Sequence, residues 1–169
     1  GRYVAGDTIA ATVETMRSLK EEGAVTTVDV LGEEVRERAR AEAAVAEYLK
    51  LLETISSEGV ERNISVKPTM LGLKIDEAFC AQRIAEIVGR AHERGAFVRI
   101  DMEDHTCTDA TLRIYREMQA RYGNVGVVLQ AYLHRTLPDI SALLPLRPNI
   151  RICKGIYREP RDIAWKDFD

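Results

Sequence analysis

Cations at the end of a short apolar run need an explanation. In NIRICKGIYREP (149–160) the centre reads as a buried β-strand, yet it carries Arg151 and runs into Lys154 and Tyr157. A buried cation is expensive unless an anion pairs with it. Other strand-like runs end the same way: Asp29 with Glu33 beyond it, Lys67, Asp101 with Glu103 and Asp104, and Gln130 with Tyr132. Taken singly, each is ordinarily a solvated strand end. Together they could grip an anionic ligand, which accounts for Arg151, Lys154 and Lys67 at once. Arg99 and Asp101 lie two apart on one strand and share a face, to pair with each other or with neighbours.

Other chemistries fit less well. His92, His105 and His134 lack metal-ligand spacing, and His105 with Cys107 is an isolated pair. Three acids in a row, Asp101, Glu103 and Asp104 around Met102, point in different directions along a strand and make a poor hard-cation site. No GxSxG elbow exists. A lysine with a depressed pKa forms Schiff bases in barrel aldolases, and Lys67 or Lys154 could serve in that second reading. A third reading is a non-catalytic barrel fragment.

The elements that carry these residues alternate. Asp7 is placed to cap a helix with apolar positions Ile9, Val13, Met16 and Leu19, stopped by Gly23. AVTTVDVLG (24–32) reads as a strand, and the Ala-, Glu- and Arg-rich stretch from 33 to about 55 as a long helix. NISVKP (63–68) is a strand ended by Pro68, and Asp76 caps a helix to about 94, closed by Gly95. AFVRID, a helix over 108–122, VGVVLQAY, a short helix over 139–144 and NIRICKG follow. Strand centres near 28, 65, 99, 128 and 152 give the rhythm of βα units. GxGxxG and the P-loop are absent, which favours a (β/α)8 barrel over a doubly wound sheet. About five βα units, preceded by a helix, form a single domain over 1–169.

Composition agrees with a globular domain: 169 residues, 46% hydrophobic, 30% charged, net charge -3. Mixed charge leaves no polycationic surface for nucleic acid. Three scattered cysteines suit reduced thiols in a reducing compartment, and no apolar run is long enough to span a membrane. The expectation is a cytoplasmic protein.

Six motifs stand in the order and spacing of the proline dehydrogenases: RYVAG (2–6), VDVLGE (28–33), ISVKPTMLGL (64–73), VRIDMED (98–104), VVLQAYLHRT (127–136) and IRICKGIYREP (150–160). The chain resembles that family over nearly its whole length. The resemblance implies a distorted (β/α)8 barrel carrying FAD, which oxidises L-proline to Δ1-pyrroline-5-carboxylate and passes electrons to a membrane quinone through a peripheral contact. A pyrroline-5-carboxylate dehydrogenase is a further implied partner.

By the same resemblance, Lys67 pairs with the proline carboxylate and Tyr157 lines the proline pocket. Asp101 is the active-site aspartate and Met102 a flavin contact. Gln130 bonds the isoalloxazine, Arg151 lies near its reactive nitrogen, and Lys154, Gly155 and Ile156 run along the FAD. Asp101 and Arg151 are thus the expected catalytic pair, and Gly155 lets the backbone approach the cofactor. ICKGIY departs from the commoner LVKGAY by conservative exchanges. Arg151 and Lys154 are expected to face the electron-rich ring rather than a protein carboxylate. The paired arginines of the family's last helix and its later FAD-binding loop have no counterpart in these 169 residues. The expectation is therefore a parent roughly twice as long, with three more βα units completing the site.

Overall fold

A side-chain cap before an apolar stripe favours a helix start. In the computed structural model, which describes residues 8–32 and 34–166, helix α1 spans Ile9–Glu21 and buries Val13 and Met16. Its cap is Thr8, whose hydroxyl accepts from Ala11 N at 3.2 Å. Asp7, expected there, lies outside the described residues, as do RYVAG and Glu33.

The remaining elements are β1 (Val28–Asp29), α2 (Arg38–Ser57), β2 (Asn63–Val66), α3 (Glu77–Glu93), β3 (Phe97–Ile100), α4 (Thr108–Arg121), β4 (Val125–Gln130), α5 (Thr136–Leu143) and β5 (Asn149–Cys153). The strands form one parallel sheet in the order β1-β2-β3-β4-β5. Each strand lies beside its predecessor, with no reversal of order. This is the progression of a (β/α)8 barrel; a doubly wound sheet reverses at a switch point.

Alternation along the strands sorts the side chains. Ile64 and Val66 of β2 and Val98 and Ile100 of β3 are fully buried in the core shared with the helices. Ser65, Lys67, Arg99 and Asp101 therefore take the other face. All six residues of β4 are buried, as expected for a strand covered on both sides.

Capping at α3 is as the sequence suggests: the Asp76 carboxylate accepts from Phe79 N at 2.6 Å. Asp76→Ala should lower stability by about 1 kcal/mol, read from the urea midpoint at unchanged m-value.

Three element boundaries and the burial of one strand need correction. Strand β1 is two residues long: its pairing with β2 begins at Val28, and Val25 before it is 80% exposed. Helix α2 starts at Arg38 rather than near 33. Glu34 has φ +52° and donates its N–H to Thr69 Oγ1, and Val35 N donates to Thr69 O, so this stretch is tied to the loop after β2. Helix α5 begins at Thr136, not 139, since the Thr136 hydroxyl anchors it by donating to Gln130 O at 2.5 Å.

Strand β5 is not buried. Arg151 and Ile152 are exposed, Ile152 to 50%, because among the described residues β5 is bonded to β4 alone.

Candidate functional site

Of the polar residues at the strand ends, Asp29, Lys67, Asp101 and Arg151 meet on one face of the sheet, whereas Asp104 turns to Lys74 and Tyr132 to the 154–157 segment. Lys67, just past β2, donates from Nζ to Asp29 Oδ2 of β1 at 2.7 Å. Asp101, just past β3, accepts from Ser65 Oγ at 3.3 Å and from Arg151 Nη2 of β5 at 2.6 Å. Lys67, Asp101 and Arg151 thus come from three strands to one end of the sheet. Burial raises the pKa of Asp101 above the ordinary aspartate value, and Arg151 and Lys67 pull it back only in part. Burial pushes the Lys67 ammonium down, but Asp29, reinforced by Asp101 and Glu103, outweighs it and leaves its pKa above the lysine norm.

Arg151 therefore faces a protein carboxylate, contrary to the expectation from sequence. The partly buried Asp101 is the nearest anion, and a charge-assisted contact satisfies both groups. Arg99 does not pair directly with Asp101. Its guanidinium crosses the sheet, donating from Nη1 to Asn149 O at 2.9 Å and from Nη2 to Asn149 Oδ1 at 2.7 Å. Gly126 makes the room, since a Cβ there would overlap that guanidinium. Neither role was visible in the sequence.

Gln130, at the end of β4, donates from Nε2 to Met102 O at 3.2 Å and Glu103 O at 3.0 Å. Its Oε1 is buried without a hydrogen-bond partner among the described residues. An orphaned acceptor of this kind suits a ligand that brings an N–H. The Met102 side chain is buried in the main core, so its carbonyl is what it offers Gln130. Glu103 is a buried structural carboxylate, accepting from Thr69 N at 2.8 Å and Thr69 Oγ1 at 2.5 Å. Among the described residues no group of three His, Cys, Asp or Glu side chains stands close enough to hold a metal ion.

Past β5 the chain turns through Lys154, Gly155, Ile156 and Tyr157, with Ile156 89% exposed. Cys153 O and Lys154 O accept from Ala131 N at 2.7 Å and Tyr132 N at 3.2 Å, and Tyr157 O accepts from the Tyr132 hydroxyl at 3.1 Å. Gly155 has φ +106°, and a Cβ on it would overlap the Tyr132 ring. The close approach that requires glycine here is thus to Tyr132. Gly155→Ala should destabilise by about 1–2 kcal/mol from the left-handed backbone alone, read as a lowered urea midpoint.

The family model for proline dehydrogenase matches residues 12–157. The chain belongs to the proline dehydrogenase family. It is 36% identical over 171 aligned residues to "Proline dehydrogenase" of Deinococcus radiodurans, covering 98% of this chain and 55% of that one. It is 35% identical over 166 residues to "Proline dehydrogenase 1" of Bacillus subtilis subsp. natto, with the same coverage. Among solved structures, proline utilization A from Bdellovibrio bacteriovorus, inactivated by N-propargylglycine, superposes with a TM-score of 0.81 at 21% identity, covering 90% of this chain and 20% of that one. The fold is accordingly that of the proline dehydrogenase barrel, here as five consecutive parallel strands and the helices that connect them. The chain spans about half the length, 55%, of the curated relatives it matches.

Proposed function

We propose that the whole protein is an FAD-dependent proline dehydrogenase, oxidising L-proline to Δ1-pyrroline-5-carboxylate, and that this chain forms one wall of its active site. The observation that carries the reading is the convergence of Lys67, Asp101, Gln130 and Arg151 at one end of four neighbouring strands.

The residues present fit the cofactor. Gln130 Oε1 lacks a donor that a ring N–H supplies, and Arg151 and Lys154 place positive charge on the exposed rim. Bound there, FAD would supply a two-electron acceptor. Arg151 and Lys154 favour negative charge developing beside them, which assists electron acceptance. Asp101 keeps Arg151 aimed across the sheet, and Gly155, Ile156 and the backbone of Met102 are proposed to contact the cofactor. Lys67 binds the substrate carboxylate through ammonium donors that Asp29 leaves free, since an ammonium has three. Tyr157 is proposed to line the proline pocket with Lys67. Proline is small, so gripping its carboxylate does much of the orienting. Overall the substrate C–N unit loses two electrons and two protons and becomes an imine.

The Schiff-base reading is disfavoured at Lys67, whose raised pKa keeps it an ammonium where an aldolase lysine must be a free amine. Three further βα units, with the arginines of a last helix, are proposed to complete the site, and this chain alone to be inactive. Electrons are proposed to leave to a membrane quinone at a peripheral contact in a cytoplasmic protein. Among the described residues no helix is long and apolar enough to cross a membrane. The imine product hydrolyses to an aldehyde, so a pyrroline-5-carboxylate dehydrogenase is the proposed consumer.

The test is product formation by the whole protein. Given L-proline and a soluble quinone, it should form an imine that o-aminobenzaldehyde traps as a coloured adduct. Absence of that adduct from FAD-saturated protein sinks the reading.

A further inference from the structure

Glu159 is a buried carboxylate that the proposed chemistry does not use. Its side chain is 2% exposed, although its neighbours Arg158 and Pro160 are exposed. Burying a carboxylate on a surface loop is unfavourable unless both oxygens are satisfied. Here both are taken by one residue: Oε1 accepts from His105 N at 2.8 Å, and Oε2 contacts His105 Nδ1. His105 opens a 3-10 turn (His105–Cys107) directly after β3. That turn is itself fixed, because Asp104 accepts from Thr106 N at 2.8 Å and from Lys74 Nζ at 3.1 Å.

The contact therefore joins the loop after β3, which carries Asp101 and Met102, to the loop after β5, which carries Lys154 and Tyr157. On its other side the 154–157 turn rests on Tyr132 through the hydrogen bond to Tyr157 O and the packing of Gly155. Burial, then the Glu159 charge, pushes the Tyr132 hydroxyl up to about 12. The exposed turn is thus pinned on two sides, and one pin crosses between loops far apart in sequence.

We propose that Glu159 and His105 are positioning residues, a clamp that holds the 154–157 turn in the shape that receives the cofactor. The proposal rests on the FAD reading above. Preorganising an exposed turn raises affinity by removing the ordering that binding would otherwise require.

The test uses the whole protein stripped of flavin and titrated with FAD, following the quenching of flavin fluorescence. Glu159→Ala should raise the FAD Kd at least tenfold and His105→Ala at least threefold. The double variant should be no worse than Glu159→Ala, because the partners act as one unit. Glu159→Gln, which keeps a carbonyl oxygen for His105 N–H, should recover part of the loss. His105 is largely at the surface, so its variant tests the clamp even if Glu159→Ala fails to fold. The visible band of bound flavin should also shift in His105→Ala. A Kd within twofold of wild type in His105→Ala overturns the clamp, as does a lowered melting temperature without a change in Kd. Wild-type protein that binds no FAD overturns the proposed function and the clamp together, whereas equal binding by wild type and variants overturns the clamp alone.

Discussion

Arg151→Met in the whole, flavin-loaded protein is expected to slow reduction of the flavin by proline about 10²–10³-fold, the size typical for loss of one preorganised charge stabiliser. The guanidinium cannot be replaced by water without losing its fixed position opposite Asp101, at 2.6 Å. Single-turnover stopped-flow absorbance reads the step directly. An unchanged rate would place Arg151 in a structural pair only. The same variant should alter the acid stability profile. Burial already raises the Asp101 pKa above its unfolded value, so at pH values between the two the folded state holds a proton that the unfolded chain has released. Stability therefore declines as pH rises from the unfolded pKa toward the folded one. Removing Arg151, which pulls that pKa down, should carry the decline to higher pH. Urea unfolding across the mildly acidic range should show it.

Lys67→Ala is expected to raise the KM for proline by about 10- to 150-fold, corresponding to roughly 1.5–3 kcal/mol for one charge-assisted contact. The maximal rate should change less, because carboxylate binding is lost equally from ground and transition states. The half-buried Asp29 loses its ammonium partner in this variant and repels the substrate carboxylate as well. Lys67→Ala with Asp29→Asn should recover part of the loss. A KM unchanged in the single variant would remove Lys67 from the carboxylate.

The fold and the site were legible to different depths. Helix α3 could be read from Asp76, the apolar stripe and Gly95, because its information is local. So could β4, whose apolar run stands out, and so could the placing of Lys67, Asp101, Gln130 and Arg151 at strand ends. The start of α2 was hidden because Thr69, 35 residues from Glu34, binds the backbone there. Burial at β5 was misread for the same reason: it depends on which strand lies beside it, and an apolar run does not show that. The partner of Arg151 differs from the expected ring because a cation in a strand shows that an anion is needed but not which one, and Asp101 stands within 2.6 Å. Glu159 sits inside a quoted motif, yet no residue beside it signals burial. Its partner His105 is 54 residues away and is brought near only by the loops after β3 and β5.

Under the proposed function, this wall of side chains belongs to a flavin site that oxidises proline. The most direct measurement is the visible absorption spectrum of the purified whole protein, titrated with L-proline without oxygen. Flavin bands should be present, bleach on adding L-proline and return with a quinone. Protein that takes up no flavin, or flavin bands that L-proline leaves unchanged, would contradict the proposed function.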